Sequence, residues 1–364
     1  MRKREPDMTP IDIPTLAARS LAGEILPDAE CLAILEDQPG NLLSLLDAAF
    51  QVRRQHWGQR VRLHVLNNIQ NGHCPEDCNY CGQAKTADHH DIADYPVKGD
   101  DEILAEAKRA YESGAFRYCM VSAGRGPSDK RIEKLAGLIR RIKENYPLQV
   151  CVSPGLLKEG QAEVLQRAGL DRLNHNLNTS ETNYPSICST HTYEDRLLTL
   201  ERASRAGLEV CSGMIVGMGE RARGVVEVLK SLRRVGAKSI PINYLMALPG
   251  ADAAVQREEL TPQYGLRILC LARLLNPTAE IRAAAGREMH LRDMQVLALY
   301  PANSIFVNGY LNVKGEVQDK TLRMISDAGF EIEQVEGSDL PDSANVVAPS
   351  VELKSRADLR PALK

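Results

Sequence analysis

The sequence predicts an α/β protein, a (β/α)8 barrel of the TIM type preceded by a helical extension. From residue 60 onward, short β-branched runs alternate with amphipathic stretches, the pattern of repeated βα units around a parallel sheet. The units fill about 250 residues, the usual length of such a barrel. Several helical stretches end on the glycine that a helix C-terminus favours, at Gly114, Gly169, Gly207 and Gly236. A doubly wound open sheet is the alternative, but no glycine-rich dinucleotide loop follows the first strand.

Taken in order, Leu16, Ala17, Leu21, Ile25, Leu26, Leu32, Leu35, Leu42, Leu43, Leu45 and Leu46 mark short amphipathic helices in an N-terminal extension, residues 1–56. The barrel takes residues 57–335. Its candidate strands are Val61–Asn67, Arg117–Ser122, Gln149–Ser153, Arg172–Asn178, Glu209–Val216, Ser239–Leu245, Glu280–Ala285 and Ser304–Asn308. Between them lie candidate helices Glu102–Glu112, Ile132–Glu144, Gln161–Ala168, Tyr193–Ala206, Ala222–Arg234 and Tyr264–Leu275. Residues 1–15 and 336–364 are polar, contain proline and lack sustained periodicity, so poor order is expected there and a flexible tail at the C-terminus.

Residues two apart share one face of a strand. Asn174, Asn176 and Asn178 therefore face the same way in the fourth strand, where a barrel interior normally carries Val, Ile or Leu. The amides imply either a polar ligand or a structural network at the strand end. Cys119, Cys151, Cys211, Asn243 and Arg282 sit in the same manner inside otherwise apolar strands. A single buried cysteine is more often an inert small hydrophobe. Three of them with an arginine around a common axis form a constellation. Cys31, Cys188 and Cys270 show no such placement and read as ordinary.

Ahead of these, Cys74, Cys78 and Cys81 form a C-x3-C-x2-C run with Tyr80 directly before the last cysteine. Thiolates are the usual ligands of a cubane iron–sulfur cluster, which has four corners. Three local thiolates leave one iron open to a small molecule. A structural zinc site completed by His73, His89 or His90 is the plainer reading, but zinc knuckles pair cysteines with a second ligand pair farther along, and that pair is absent. Nine cysteines in 364 residues, with Met1-Arg2-Lys3-Arg4-Glu5 opening no apolar stretch, argue against a disulfide framework. The expectation is a reduced, cytoplasmic protein.

Composition narrows the partners. The net charge of −3 is near balance with no basic block, and aromatics are only 4%, so neither a nucleic acid nor a base-stacking platform is expected. No run of about 18 apolar residues exists to span a membrane.

The segment Cys74-Pro75-Glu76-Asp77-Cys78-Asn79-Tyr80-Cys81 resembles the cluster loop of the radical S-adenosylmethionine superfamily, in the form typical of the biotin synthase family. The resemblance continues in order through Tyr118-Cys119-Met120, Gln149-Val150-Cys151, Asn174-His175-Asn176, Val210-Cys211-Ser212-Gly213, Pro241-Ile242-Asn243, Ile281-Arg282-Ala283 and Asn303-Ser304-Ile305-Phe306, over roughly residues 45–330. It implies that Cys74, Cys78 and Cys81 hold a 4Fe–4S cluster whose open iron is chelated by S-adenosylmethionine. It also implies that Cys119, Cys151, Cys211 and Arg282 hold a 2Fe–2S cluster deep in the barrel. The Tyr80 backbone, Ala123, Asn176, Asn178 and the Gly213-x-Ile215-x-Gly217-x-x-Glu220 strand are implied to bind S-adenosylmethionine. Asn174, Asn176, Asn243 and Asn312 are implied to bind dethiobiotin.

The implied activity is radical insertion of sulfur from the 2Fe–2S cluster into dethiobiotin. A flavodoxin-type electron donor, an iron–sulfur assembly system and a homodimer involving residues 16–46 are the implied partners. Two positions depart from the family pattern: Asn178 stands where Asp is frequent, and Asn312-Val313 replaces a Thr-Thr pair that receives the substrate carboxylate. The second departure keeps open a related radical enzyme, of the hydrogenase-maturation or methylornithine-forming kind, acting on another small acid. A third reading, a non-catalytic iron–sulfur carrier, has no need of asparagine-lined pockets.

Overall fold

The sheet closes where Arg62, Leu63 and His64 pair in parallel with Ser304, Ile305 and Phe306. The computed structural model describes residues 11–36, 41–72, 74–87, 92–246 and 260–338. Three N-terminal helices, α1 (Ile13–Leu21), α2 (Asp28–Glu36) and α3 (Leu42–Trp57), precede the barrel. The wall runs in chain order through β1 (Arg60–Gln70), β2 (Arg117–Ser122), β3 (Gln149–Ser153), β4 (Arg172–Asn174), β5 (Glu209–Cys211), β6 (Met214–Val216), β7 (Ser239–Tyr244), β8 (Glu280–Ala283) and β9 (Ser304–Phe306). Every one of these pairings is parallel. Because β5 and β6 both pair with β7, they share one place in the wall, and the barrel has the expected eight staves. A short β10 (Glu331–Ile332) adds in parallel to Arg60 and Val61 at the start of β1.

Two expected strands are shorter than their sequence pattern. The run Glu209–Val216 breaks at Ser212 and Gly213, where a Cβ on Gly213 would lie 1.9 Å from the Pro241 carbonyl oxygen. Only glycine lets the backbone pass so close to β7. The run Arg172–Asn178 ends at Asn174, and Asn178 takes the left-handed conformation, φ 70°. Its N–H still donates to the Gly213 carbonyl, so the two irregular stretches support each other.

Helices α4 (Asp100–Glu112), α5 (Asp129–Asn145), α6 (Gln161–Arg167), α7 (Tyr193–Arg205), α8 (Ala222–Arg234) and α9 (Pro262–Leu275) connect successive strands. Their starts carry local signals: the Ser128 side chain accepts from the Arg131 N–H, Thr192 and Asp195 form a reciprocal capping box, and Thr261 caps α9 ahead of Pro262. From Gly265 to Leu275 every residue of α9 is buried. A helix buried on all sides needs cover on all sides, and the N-terminal helices supply part of it. Ser20 Oγ donates to the Leu274 carbonyl at 2.6 Å and Arg267 Nη1 to that of Ile34 at 3.0 Å.

After β8 the chain forms α10 (Arg287–Leu291) and, beyond β9, α11 (Gln318–Asp327), neither of which the sequence pattern singled out. Residues 13–15, expected to fray, belong instead to α1, and Ile13 and Leu16 pack in the core beside α3 and α9. At the other end Ser338 is buried, its N–H and hydroxyl both on the Val335 carbonyl; residues 339–364 of the expected tail lie outside the described residues. Among the described residues no helix is long and apolar enough to cross a membrane.

Candidate active site

Cys119, Cys151 and Cys211 line one cleft inside the barrel together with Arg282, Asn174, Asn176 and Asn178, the set expected to face inward. Cys119 and Cys151 are register partners across β2 and β3, and Cys211 is the partner of Asn174 across β4 and β5. All three thiols and Arg282 are buried. Contact with Cys151 holds the Cys119 thiol below its ordinary value against the effect of burial, while Cys211's own contact with Cys151, with burial, pushes that thiol up.

Beneath the thiols lies an ionic hub. The fully buried Glu280 carboxylate meets Arg282 Nη2 at 2.5 Å, Arg117 Nη1 at 3.1 Å, His64 Nε2 at 3.1 Å, and Arg62 and Arg172 Nη1 at 3.3 Å each. Arg62 also pairs with Glu333 and Arg172 with Glu209, so four guanidiniums face three carboxylates. Burial works against the charge of Arg282, yet Glu280 and the neighbouring thiols outweigh it and keep the group protonated. Arg282 Nε and Arg117 Nε are buried without a hydrogen-bond partner among the described residues. Surplus positive charge and orphaned donors beside three thiols fit an anionic, thiolate-held group.

Cys74, Cys78 and Cys81 lie in the loop after β1. That loop folds on itself through the Cys74 N–H on the Gln83 carbonyl at 2.8 Å, Cys81 on Cys78 at 3.0 Å and Lys85 on Glu76 at 2.8 Å. The intervening acids anchor it to the segment before α7. Glu76 accepts from Thr190 Oγ1 at 2.7 Å and pairs with His191 Nδ1; Asp77 accepts from the Ser189 N–H at 2.9 Å and from the Ser189 hydroxyl. Hydrogen bonds from Ser189 and Cys188 outweigh burial and hold the Asp77 carboxyl well below the usual range. The sequence reading left Cys188 as ordinary, and the structure corrects this: its Sγ is 3.8 Å from Cys78 Sγ and 3.2 Å from His191 Nδ1. The Cys188-x2-His191 spacing was the available signal. His73, His89 and His90, weighed as zinc ligands, lie outside the described residues.

The remaining expected residues divide by where their side chains go. Tyr80 and Ile215 border both the thiol cleft and an adjoining one lined by Cys81, Asn243, Asn312 and Val313. Asn178 Nδ2 donates to the Tyr80 hydroxyl. Asn176 Oδ1 accepts from the Gly213 N–H at 3.0 Å and from Asn174 Nδ2 at 3.2 Å; the latter is also 3.2 Å from Cys211 Sγ. Asn243 is engaged by backbone on both sides, Nδ2 on the Met214 carbonyl and Oδ1 on the Ala285 N–H. Asn312 Oδ1 accepts from Asn71 Nδ2 at 2.6 Å. The Ala123 N–H donates to the Gln70 carbonyl just past β2. Glu220 folds back on its own turn, accepting from the N–H groups of Gly217 at 2.7 Å and Met218 at 2.8 Å.

Comparisons with known proteins bear on the family and the barrel. Residues 69–243 match the radical SAM superfamily and residues 241–331 the biotin and thiamin synthesis associated domain. A biotin synthase of Magnetococcus marinus is 54% identical over 88% of this chain and 99% of its own, and one of Acaryochloris marina is 51% identical over 86% and 90%. Among solved structures, a methylornithine synthase superposes with a TM-score of 0.75 at 19% identity, over 88% of this chain and 97% of its own. An FeFe-hydrogenase maturase from Carboxydothermus hydrogenoformans gives 0.76 at 18%, over 90% and 80%. Those two likenesses speak to the barrel; the high-identity relatives speak to the family. With relatives this similar over most of its length, this chain belongs to the biotin synthase family of the radical S-adenosylmethionine superfamily.

Proposed function

We propose that the chain inserts sulfur into dethiobiotin to form biotin, with Cys74, Cys78 and Cys81 holding a 4Fe–4S cluster and Cys119, Cys151, Cys211 and Arg282 surrounding a 2Fe–2S cluster. When bound, the first cluster with S-adenosylmethionine supplies the radical that takes hydrogen from unactivated carbon, and the second supplies the sulfur. The observation that carries the reading is the convergence of three barrel thiols above a hub with surplus positive charge.

The protein's share is placement and exclusion. Amides both donate and accept, which suits Asn174, Asn176 and Asn243 to a ureido ring. The Tyr80 backbone, Ala123, Asn178, Gly213, Ile215 and Gly217 form the S-adenosylmethionine side, and Glu220 fixes the turn that shapes it. Leu66, Phe306, Tyr310 and Leu311 wall the thiol cleft with apolar surface and keep water from the reacting carbon. Asn312 and the Lys314 ammonium receive the substrate carboxylate in place of the family's Thr-Thr pair. A flavodoxin-type donor supplies electrons, and an iron–sulfur assembly system rebuilds the spent cluster. Dimerisation through residues 16–46 would cover the exposed Leu21, Ile25 and Leu43.

An anaerobic single-turnover assay with S-adenosylmethionine, reductant and dethiobiotin tests the reading. Biotin and 5′-deoxyadenosine should appear while the 2Fe–2S absorbance falls. If 5′-deoxyadenosine forms without biotin, the substrate is another small acid.

A further inference from the structure

Cys188 belongs to none of the thiol sets above, yet its segment is tied to the cluster loop. It follows a short turn at Tyr184–Ser186 and points its sulfur at Cys78, 3.8 Å away, with both residues buried. The two backbones are tied together around that contact. The Asn79 N–H donates to the Ile187 carbonyl at 3.0 Å, Asn79 Nδ2 to that of Ser186 at 3.1 Å, and Asp77 accepts from the N–H groups of Ser189 and Thr190. The contact is therefore held by hydrogen bonds on both sides of each sulfur, rather than by one mobile side chain. A disulfide requires a bond of about 2.05 Å, so the two sulfurs need to approach by under about 2 Å.

We propose that Cys78 and Cys188 are a redox pair: in the cluster-free chain a peroxide joins them in a disulfide that removes Cys78 from the ligand set until a dithiol reduces it. Each thiol gives up one electron and one proton, the S–S bond forms as the peroxide O–O bond breaks, and the products are one disulfide and two waters. The reverse step transfers the two electrons from a dithiol, which becomes a disulfide in turn. With the cluster bound, Cys78 is an iron ligand and the pair cannot form. The bond shields Cys78 from the irreversible sulfinic and sulfonic states, at which ligation would be lost. Its consequence for loading rests on Cys78 being a cluster ligand; the bond itself does not.

The test uses the full chain stripped of clusters, treated with a small excess of hydrogen peroxide, alkylated and digested with trypsin without reduction. One peptide, residues 63–85, holds Cys74, Cys78 and Cys81, and another, residues 173–196, holds Cys188. The expected result is a linked pair of these peptides whose fragmentation places the bridge on Cys78, lost on dithiothreitol treatment and absent in Cys188→Ser. Cys188 that stays fully alkylated, or Cys78 bridged to Cys74 or Cys81, would overturn the proposal. These readings need only the natural sequence, so a folding defect in the variant does not blunt them. Iron binding after oxidation is then measured with and without the dithiol. A linked pair whose formation leaves 4Fe–4S loading intact would instead strike the reading of Cys78 as a ligand.

Discussion

Arg282 and Glu280 stand two residues apart on β8, on one face of the barrel wall, and their side chains meet at 2.5 Å. The carboxylate is also the shared partner of Arg62, Arg117 and Arg172. Removing one member of a buried ion pair leaves an uncompensated charge and costs about 3–5 kcal/mol. Glu280→Gln should therefore lower the stability of the chain by about that amount, read as a lower urea midpoint at unchanged slope. An unchanged midpoint would show that the guanidiniums find other partners.

Arg282 and the three barrel cysteines should separate on mutation. A protonated guanidinium has no lone pair to give a metal, so Arg282→Met should retain the 2Fe–2S absorbance and lose activity roughly 10–100-fold, the usual cost of a supporting contact. Cys211→Ala should lose both absorbance and product. Iron and sulfide analysis of the purified variants, beside the single-turnover yield, decides between them.

Glu220 satisfies two buried N–H groups in the turn after β6. Stripping a partner from a buried donor costs about 1–3 kcal/mol. Glu220→Ala should destabilise the chain within that range and weaken S-adenosylmethionine binding in calorimetry, while Glu220→Gln, which keeps one acceptor oxygen, should fall between. Equal loss in both variants would indicate a direct contact with the cofactor.

The barrel and its inward thiols were legible because both rest on local periodicity: β2 and β3 begin and end where the alternation does, and Cys119, Cys151 and Cys211 fall on its inward beats. The break at Gly213 was not legible. It is set by the Pro241 carbonyl of a neighbouring strand, which no local pattern reports. Nor was the role of Glu280 legible, since its four arginines come from β1, β2, β4 and β8. Cys188 sits in an irregular loop, where periodicity carries no direction; the spacing to His191 is its one local mark, and the contact with Cys78 comes from a distant segment.

The Asn312-Val313 pair makes its own forecast. Asn312 is already bonded to Asn71 and borders the cleft with Asn243, whereas Lys314 lines an adjacent pocket with Arg287. A hydrogen bond to a charged group contributes about 1.5–3 kcal/mol. Asn312→Ala and Lys314→Met should each raise KM for dethiobiotin roughly tenfold or more, with kcat little changed. If Lys314→Met leaves KM as it was, the carboxylate is held without the ammonium.

The seam between β1 and β9 joins Arg62 to Ser304, residues separated by most of the chain. Pairings so distant are late events in folding. Cys74 through Cys211 all precede β9 in the chain, so the wall that carries them closes only when that last stave pairs with β1. One seam, laid down by the last stave, therefore decides whether the thiol-lined interior is an open face or an enclosed one.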